Sequence, residues 1–111
     1  MQDTLRHEIE LMQDRICYAL KDPTRIMILY LLHDHPHYVH ELVDELGLPQ
    51  STISRHLQVL RHRSLVSTTR QGQAIRYALA DKRIITSLDL MRDMLRGMLR
   101  EQSERLAVEV S

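Results

Sequence analysis

The sequence predicts a mainly helical domain with one small β-hairpin, in the order α-α-α-α-β-β-α over 111 residues. Three observations predict it. Apolar residues recur at helical spacing on both sides of residues 65–79, where the period drops to two around a single glycine. Only three Gly and three Pro are present, which leaves little room for long loops. With no Phe or Trp, the core falls to Leu, Ile, Val and Met, residues that suit helices packed on one another.

The elements follow in order. Thr4 or Asp3 is placed to cap a first helix carrying Leu5, Ile9, Met12, Ile16 and Ala19 on one face. Asp22-Pro23 is a second start signal, a capping side chain followed by proline at the first helical position. Ile26, Leu29, Tyr30 and Leu32 continue that helix, and it must stop before Pro36, so that His33-Asp34-His35-Pro36-His37 reads as a polar loop. A third helix spans residues 39–46 with Leu42, Val43 and Leu46 inward, and Gly47 ends it where a positive φ is needed. Ser51 starts a fourth, with Ile53, Leu57 and Leu60 on its buried side. Leu65 to Thr69 and Ala74 to Leu79 alternate as strands, and Asp81 caps a long last helix reaching toward Leu106.

Charge is distributed unevenly over this frame. The chain holds 15 basic and 15 acidic residues, yet Leu46 to Ala80 contains no acid and five arginines, Arg55, Arg61, Arg63, Arg70 and Arg76. Such a stretch is the electrostatic footprint of a polyanion-binding surface. The third and fourth helices, joined by a short glycine turn, form a helix-turn-helix at residues 39–62, whose second helix can project into the major groove. Its outward face carries Gln50, Ser51, Thr52, Ser54, Arg55 and Gln58, which are hydroxyls for phosphates, amides suited to adenine and a guanidinium suited to guanine or phosphate. The hairpin at residues 65–80 is the wing, with Arg70 and Gln73 at its tip and Arg76 on the returning strand, suited to phosphates or the minor groove. Arg61, His62 and Arg63 at the end of the fourth helix are explained equally by the helix dipole and by DNA contact. His56 is expected to pack or hydrogen-bond within the helix-turn-helix.

Residues 1–111 thus read as a single winged-helix DNA-binding domain, closed by a C-terminal dimerisation helix over residues 81–107. On that helix Ile84, Leu88, Met91, Leu95 and Met98 are spaced four, three, four, three, a coiled-coil-like seam. With Leu5, Ile9 and Met12 of the first helix they make the expected homodimer interface. A two-fold dimer reads two half-sites roughly 34 Å apart, one turn of DNA.

Three blocks of residues carry a resemblance that covers almost the full chain. They are Ala19-Leu20-Lys21-Asp22-Pro23-Thr24-Arg25-Ile26, then Gln50-Ser51-Thr52-Ile53-Ser54-Arg55-His56-Leu57-Gln58-Val59-Leu60, then Leu65-Val66 with Arg70-Gln71-Gly72-Gln73 leading to Tyr77. In these the sequence resembles the ArsR/SmtB family of bacterial winged-helix repressors. The resemblance implies a homodimer joined through its first and last helices, an operator-binding repressor released from double-stranded DNA by an effector. The sensing positions depart from the family's pattern. Members sensing zinc or cobalt on the last helix use an aspartate-x-histidine pair and later ligands; here Asp81 is kept, but the matching positions hold Arg83, Met94 and Gly97. Arg83 cannot ligate a metal and Met94 is a poor zinc ligand. Where arsenic or cadmium sensors carry a cysteine pair, this chain has Tyr38 and His40, and sulfur-responsive members need two cysteines where it has only Cys17. The effector is left unidentified, with control by the protein's own concentration, or a protein-interaction role for the winged helix, as the alternatives.

Outside the family's sites, His33, His35, His37 and His40 form a dense imidazole cluster able in principle to hold zinc, nickel or copper, although its spacing matches no strong ligand motif. No cofactor or metal is assigned. Cys17 is expected to be a buried small hydrophobe. One cysteine excludes an intramolecular disulfide and points to a reducing, cytoplasmic setting. The longest apolar run, Ile26 to Leu32, is too short for a membrane span, and the N-terminus lacks the basic-then-apolar order of a secretory signal. No P-loop, dinucleotide-binding loop or nucleophile elbow occurs, so an enzyme is not expected.

Overall fold

The computed structural model describes residues 2–110. It contains α1 (Gln2–Met12), α2 (Pro23–Asp34), β1 (His37–Tyr38), α3 (Val39–Leu46), α4 (Gln50–His62), β2 (Val66–Gln71), β3 (Ala74–Leu79) and α5 (Arg83–Val110). Between α1 and α2 lie a π-helical turn, Gln13–Cys17, and a 3₁₀ turn, Ala19–Lys21.

The first helix is therefore not one regular rod. Tyr18 N donates to Gln13 O at 2.9 Å, a π-type step. No residue of α1 is buried. Asp3 and Thr4 both lie inside α1, so neither is its cap. Cys17 is exposed rather than buried, since it lies in the π turn, none of whose residues is buried, two residues before Ala19 enters the core.

Asp22 caps α2 as its sequence implies: Oδ1 accepts from Thr24 N at 2.8 Å, and Pro23 follows at the first position. That bond holds the Asp22 carboxyl below its ordinary pKa. The stretch after it is only partly loop. His33 and Asp34 complete α2, and His37 is buried in β1, pairing with Tyr77 of β3. The sheet is three-stranded and antiparallel, in the order β1-β3-β2, where the sequence predicts a hairpin alone. A two-residue strand has no legible alternation.

Gly47 closes α3 at φ 64°, and its N–H bonds back to Val43 O at 2.8 Å. Pro49 precedes α4, which begins at Gln50, one residue before the expected Ser51. At the far end of α4, Leu65 N reaches Leu60 O at 2.9 Å and Ser64 N reaches Arg61 O at 3.0 Å, with Ser64 at φ 63°. This is a Schellman stop with serine at the position that favours glycine. The core gathers Ile28, Leu29 and Leu32 of α2, Leu42 of α3, Ile53, Leu57 and Leu60 of α4, Val66 of β2, and Ile84, Ile85 and Leu88 of α5.

The α5 seam divides at that point. Ile84 and Leu88 belong to the chain's own core, so they are not a free face for a second copy. Leu90, Met91, Met94, Leu95, Met98 and Leu99 are exposed, as are Leu5, Ile9 and Met12 of α1. The first two turns of α5 pack inward and the rest runs free of the core, which a heptad count cannot reveal. Among the described residues no helix is long and apolar enough to cross a membrane.

Candidate nucleic-acid interface

The helix-turn-helix angle is held by the apolar side of α4, whose Ile53, Leu57 and Leu60 are fully buried. Burying one face fixes the other. Gln50, Ser51, Ser54, Arg55 and Gln58 are exposed and Thr52 is half-buried. The N-terminus of α4 has no side-chain cap and no acid in its first turn, which leaves backbone N–H groups open to an anion. On the hairpin, Arg70 and Gln73 are exposed and Arg76 is half-buried. Gly72 turns the tip at φ 64°, and Arg70 Nε donates to Gly72 O at 3.2 Å, drawing that side chain over the turn.

Among the described residues, four arginines outside the acid-free stretch have carboxylate partners, and Arg15, Arg25, Arg100 and Arg105 outside it have none. Arg6 pairs with Glu10, Arg83 with Asp81, Arg92 with Asp89 and Arg96 with Asp93. Arg55, Arg61, Arg70 and Arg76 pair with no carboxylate among the described residues. Arg63 is the exception in that stretch. It pairs with Asp14 at 3.0 Å and stacks 4.4 Å over the Tyr18 ring, so it is held by the N-terminal segment. Nothing in the sequence marks that pairing, since the partners are 49 residues apart and share no motif.

His56 sits inside the helix-turn-helix. Arg25 Nη1 approaches its Nδ1 at 3.4 Å, and because a guanidinium can only donate, Nδ1 accepts and the ring proton is on Nε2. Nε2 faces the Asp22 carboxylate at 3.9 Å. Arg25 also donates to Ala19 O at 2.7 Å and Tyr18 O at 3.2 Å, so one side chain ties α2 to the irregular turns and to α4.

The candidate sensing groups are not drawn together. His35 and His37 stack with ring centroids 4.0 Å apart, each committing Nδ1–H to a backbone carbonyl, Pro36 O and His35 O. Parallel stacked imidazoles do not converge their remaining nitrogens on one point. Among the described residues no three His, Cys, Asp or Glu groups are arranged to hold a metal ion. At the head of α5, Arg83 donates bidentately to Asp81, with Nη2 to Oδ2 at 2.6 Å and Nε to Oδ1 at 3.1 Å, and Arg83 N also reaches Oδ1 at 2.9 Å. These bonds hold the Asp81 carboxyl down to about 2. The carboxylate is thus occupied by the very residue that stands where a ligand would be needed.

Comparison with known proteins agrees with this architecture. Residues 22–68 match the family described as bacterial regulatory protein, arsR family. The HTH-type transcriptional regulator CmtR of Mycobacterium tuberculosis is 45% identical over 74 residues, which is 67% of this chain and 63% of CmtR. A second HTH-type transcriptional regulator, from Methanocaldococcus jannaschii, is 36% identical over 77 residues, 68% of this chain and 86% of that one. A homodimeric winged helix-turn-helix DNA-binding domain from Mycobacterium bovis shares the fold, with a TM-score of 0.76 at 24% identity, over 89% of this chain and 91% of that one. The fold is a winged helix-turn-helix, and the chain belongs to the arsR family of bacterial regulatory proteins.

Proposed function

We propose that this protein is a cytoplasmic transcriptional repressor that binds a palindromic operator as a homodimer. The observation that carries the reading is the acid-free surface of α4 and the hairpin, where Arg55, Arg61, Arg70 and Arg76 have no carboxylate partner among the described residues. Positive charge left unpaired beside exposed amides and hydroxyls has the composition of a DNA-reading face, with Arg55 and Gln58 toward bases and Arg70 and Arg76 toward phosphates or the minor groove. Dimerisation is supported by the exposed large apolar residues of α1 and of α5 beyond Leu88, the kind of surface that marks a protein–protein contact.

Control of binding is a separate matter within that reading. The Asp81–Arg83 pair favours a protein that does not respond to zinc through α5. Release by an effector acting elsewhere, or control by the protein's own concentration, follows. Electrophoretic mobility on the DNA upstream of the protein's own coding sequence tests both parts. Retention that falls steeply with salt supports DNA binding, and retention unchanged by zinc supports the reading of α5. Absence of any sequence-preferred complex would overturn the repressor.

A further inference from the structure

The segment ahead of α2 is attached to the rest of the chain in an unusual way. No residue of α1 is buried, so packing within the chain does not orient it. Its C-terminal end passes into the π turn, where Tyr18 N, which in a regular α-helix would serve Asp14 O, bonds to Gln13 O instead. Arg63 Nη1 donates to Asp14 O at 2.7 Å, and the same guanidinium pairs with the Asp14 carboxylate at 3.0 Å while lying 4.4 Å from the Tyr18 ring centroid. Arg63 is the residue that ends α4. One partly buried side chain, 22% exposed, thus joins the end of the helix proposed to read DNA to the root of a helix proposed to pair with a second copy.

We infer that Arg63 is a positioning residue for DNA recognition, clamping α4 to the π turn so that α1 and α4 move as one body. The role rests on the DNA-binding reading above and deepens it, because it assigns to Arg63 a task other than touching DNA. Two recognition helices must reach successive major grooves roughly 34 Å apart, and their separation is set by how each is fixed to the dimer contact. An eleven-residue helix about 16 Å long acts as a lever, so a small tilt at its root displaces the partner's recognition helix by much more. The guanidinium fits this task because Nη1 bonds both the carbonyl and the carboxylate while the planar group lies over an aromatic ring, a stacking that the compact ammonium of lysine lacks.

The test compares wild type with Asp14→Ala, Arg63→Ala, the double variant and Arg63→Lys. Each is measured on a palindromic duplex selected from random DNA with the wild-type protein, and on a duplex carrying one half-site. A positioning role predicts that D14A and R63A each weaken palindrome binding about tenfold, the scale of one charge-assisted, partly buried contact. The double variant should lose no more than R63A alone, because D14A keeps the backbone carbonyl and the ring that Arg63 also contacts. R63K should restore only part of the affinity, and half-site binding and the salt slope should be unchanged. Asp14 and Tyr18 are surface residues, so D14A and Tyr18→Leu report on the clamp even if R63A melts early. The inference is overturned if D14A binds like wild type while R63A lowers the salt slope by about one per protomer, the signature of a phosphate contact. Additive losses in the double variant overturn it as well. A wild-type protein that selects no duplex would instead overturn the DNA-binding reading, and this role with it.

Discussion

The phenolic hydroxyl of Tyr30 donates to Asp89 Oδ1 at 2.6 Å, fastening the middle of α2 to the first turns of α5 across 59 residues of chain. Arg92 completes the arrangement, 5.3 Å from the Tyr30 ring centroid and 3.4 Å from the same carboxylate oxygen. Burial and the Asp89 acceptor together raise the Tyr30 pKa above its ordinary value. Beyond this point α5 leaves the core, so the bond ties α5 to α2 close to where the long exposed part departs. Tyr30→Phe should lower stability by about 0.5–1 kcal/mol, the net worth of one partly exposed hydrogen bond to a charged acceptor, seen as an earlier urea midpoint at unchanged slope. An unshifted midpoint would show that the bond adds nothing net to stability.

Dimer disruption should depend on which part of the α5 seam is changed. Leu95 and Met98 are 52% and 57% exposed, whereas Leu88 is 4% exposed. Leu95→Glu with Met98→Glu should give a folded monomer by sedimentation and circular dichroism. Leu88→Glu should unfold the chain, because it places a carboxylate in the core. A dimer that survives the double change would move the interface off α5.

The arginines proposed to touch DNA should separate into two kinds. Arg55→Ala should cost about 1–3 kcal/mol on a preferred site and relax the choice of base at one position per half-site. Arg70→Ala and Arg76→Ala should weaken all sequences alike and flatten the salt dependence. Titrations of matched and mismatched duplexes at two ionic strengths distinguish the two patterns.

Ser64 holds the left-handed position that stops α4, at φ 63°. Ser64→Gly relieves the conformational penalty of a side chain there and should stabilise the fold by about 0.5–1 kcal/mol, offset in part by the freer unfolded chain. A higher thermal midpoint with unchanged secondary structure is the expected result, and a lower one would mean that the serine makes a contact worth more than the strain.

Acid should loosen the helix starts together. Asp22 caps α2, Glu41 accepts from Tyr38 N at 2.9 Å ahead of α3, and Asp81 accepts from Arg83 N ahead of α5; each carboxyl is held below its ordinary value, chiefly by hydrogen bonds from those neighbours. A carboxylate whose pKa is depressed on folding adds stability above its unfolded pKa and loses it as pH falls through the folded one. Stability should therefore decline from near pH 4.5 downward, with the Asp81 share persisting to about pH 2. Asp81→Asn should remove the lowest part of that decline in a pH series of thermal melts.

The signals that the sequence carried well were those of chain-local physics. Asp22-Pro23, Gly47 and the period-two run around Gly72 act over a few residues, and each element begins or ends within a residue or two of where they direct. The acid-free run from Leu46 to Ala80 was legible for the same reason, since α4 and the hairpin that carry it are contiguous in the chain. What escaped was decided at a distance. Whether Leu88 faces the chain's own core or a second copy depends on where α2 lies, and both alternatives read as the same seam. The π turn at Gln13–Cys17 has no composition of its own, so the regular stripe through Ile16 concealed the exposure of Cys17. His37 looked like a loop residue because its strand is defined only by its partner in β3.

The central position of β3 gives the hairpin two mechanical regimes. β1 meets β3 at Tyr77 and Arg76, and at those two positions three strands lie side by side. Outward from Ile75 the ribbon is two-stranded, a structure of marginal stiffness in water. Arg76 stands on the braced portion and Arg70 on the pliant one. In the proposed DNA complex the first would meet its target already fixed in place, while the second would bend to follow a groove whose width varies with sequence and give up mobility when it docks. On that reading a single small hairpin would offer a rigid reference and an adaptable feeler, one strand-pair apart.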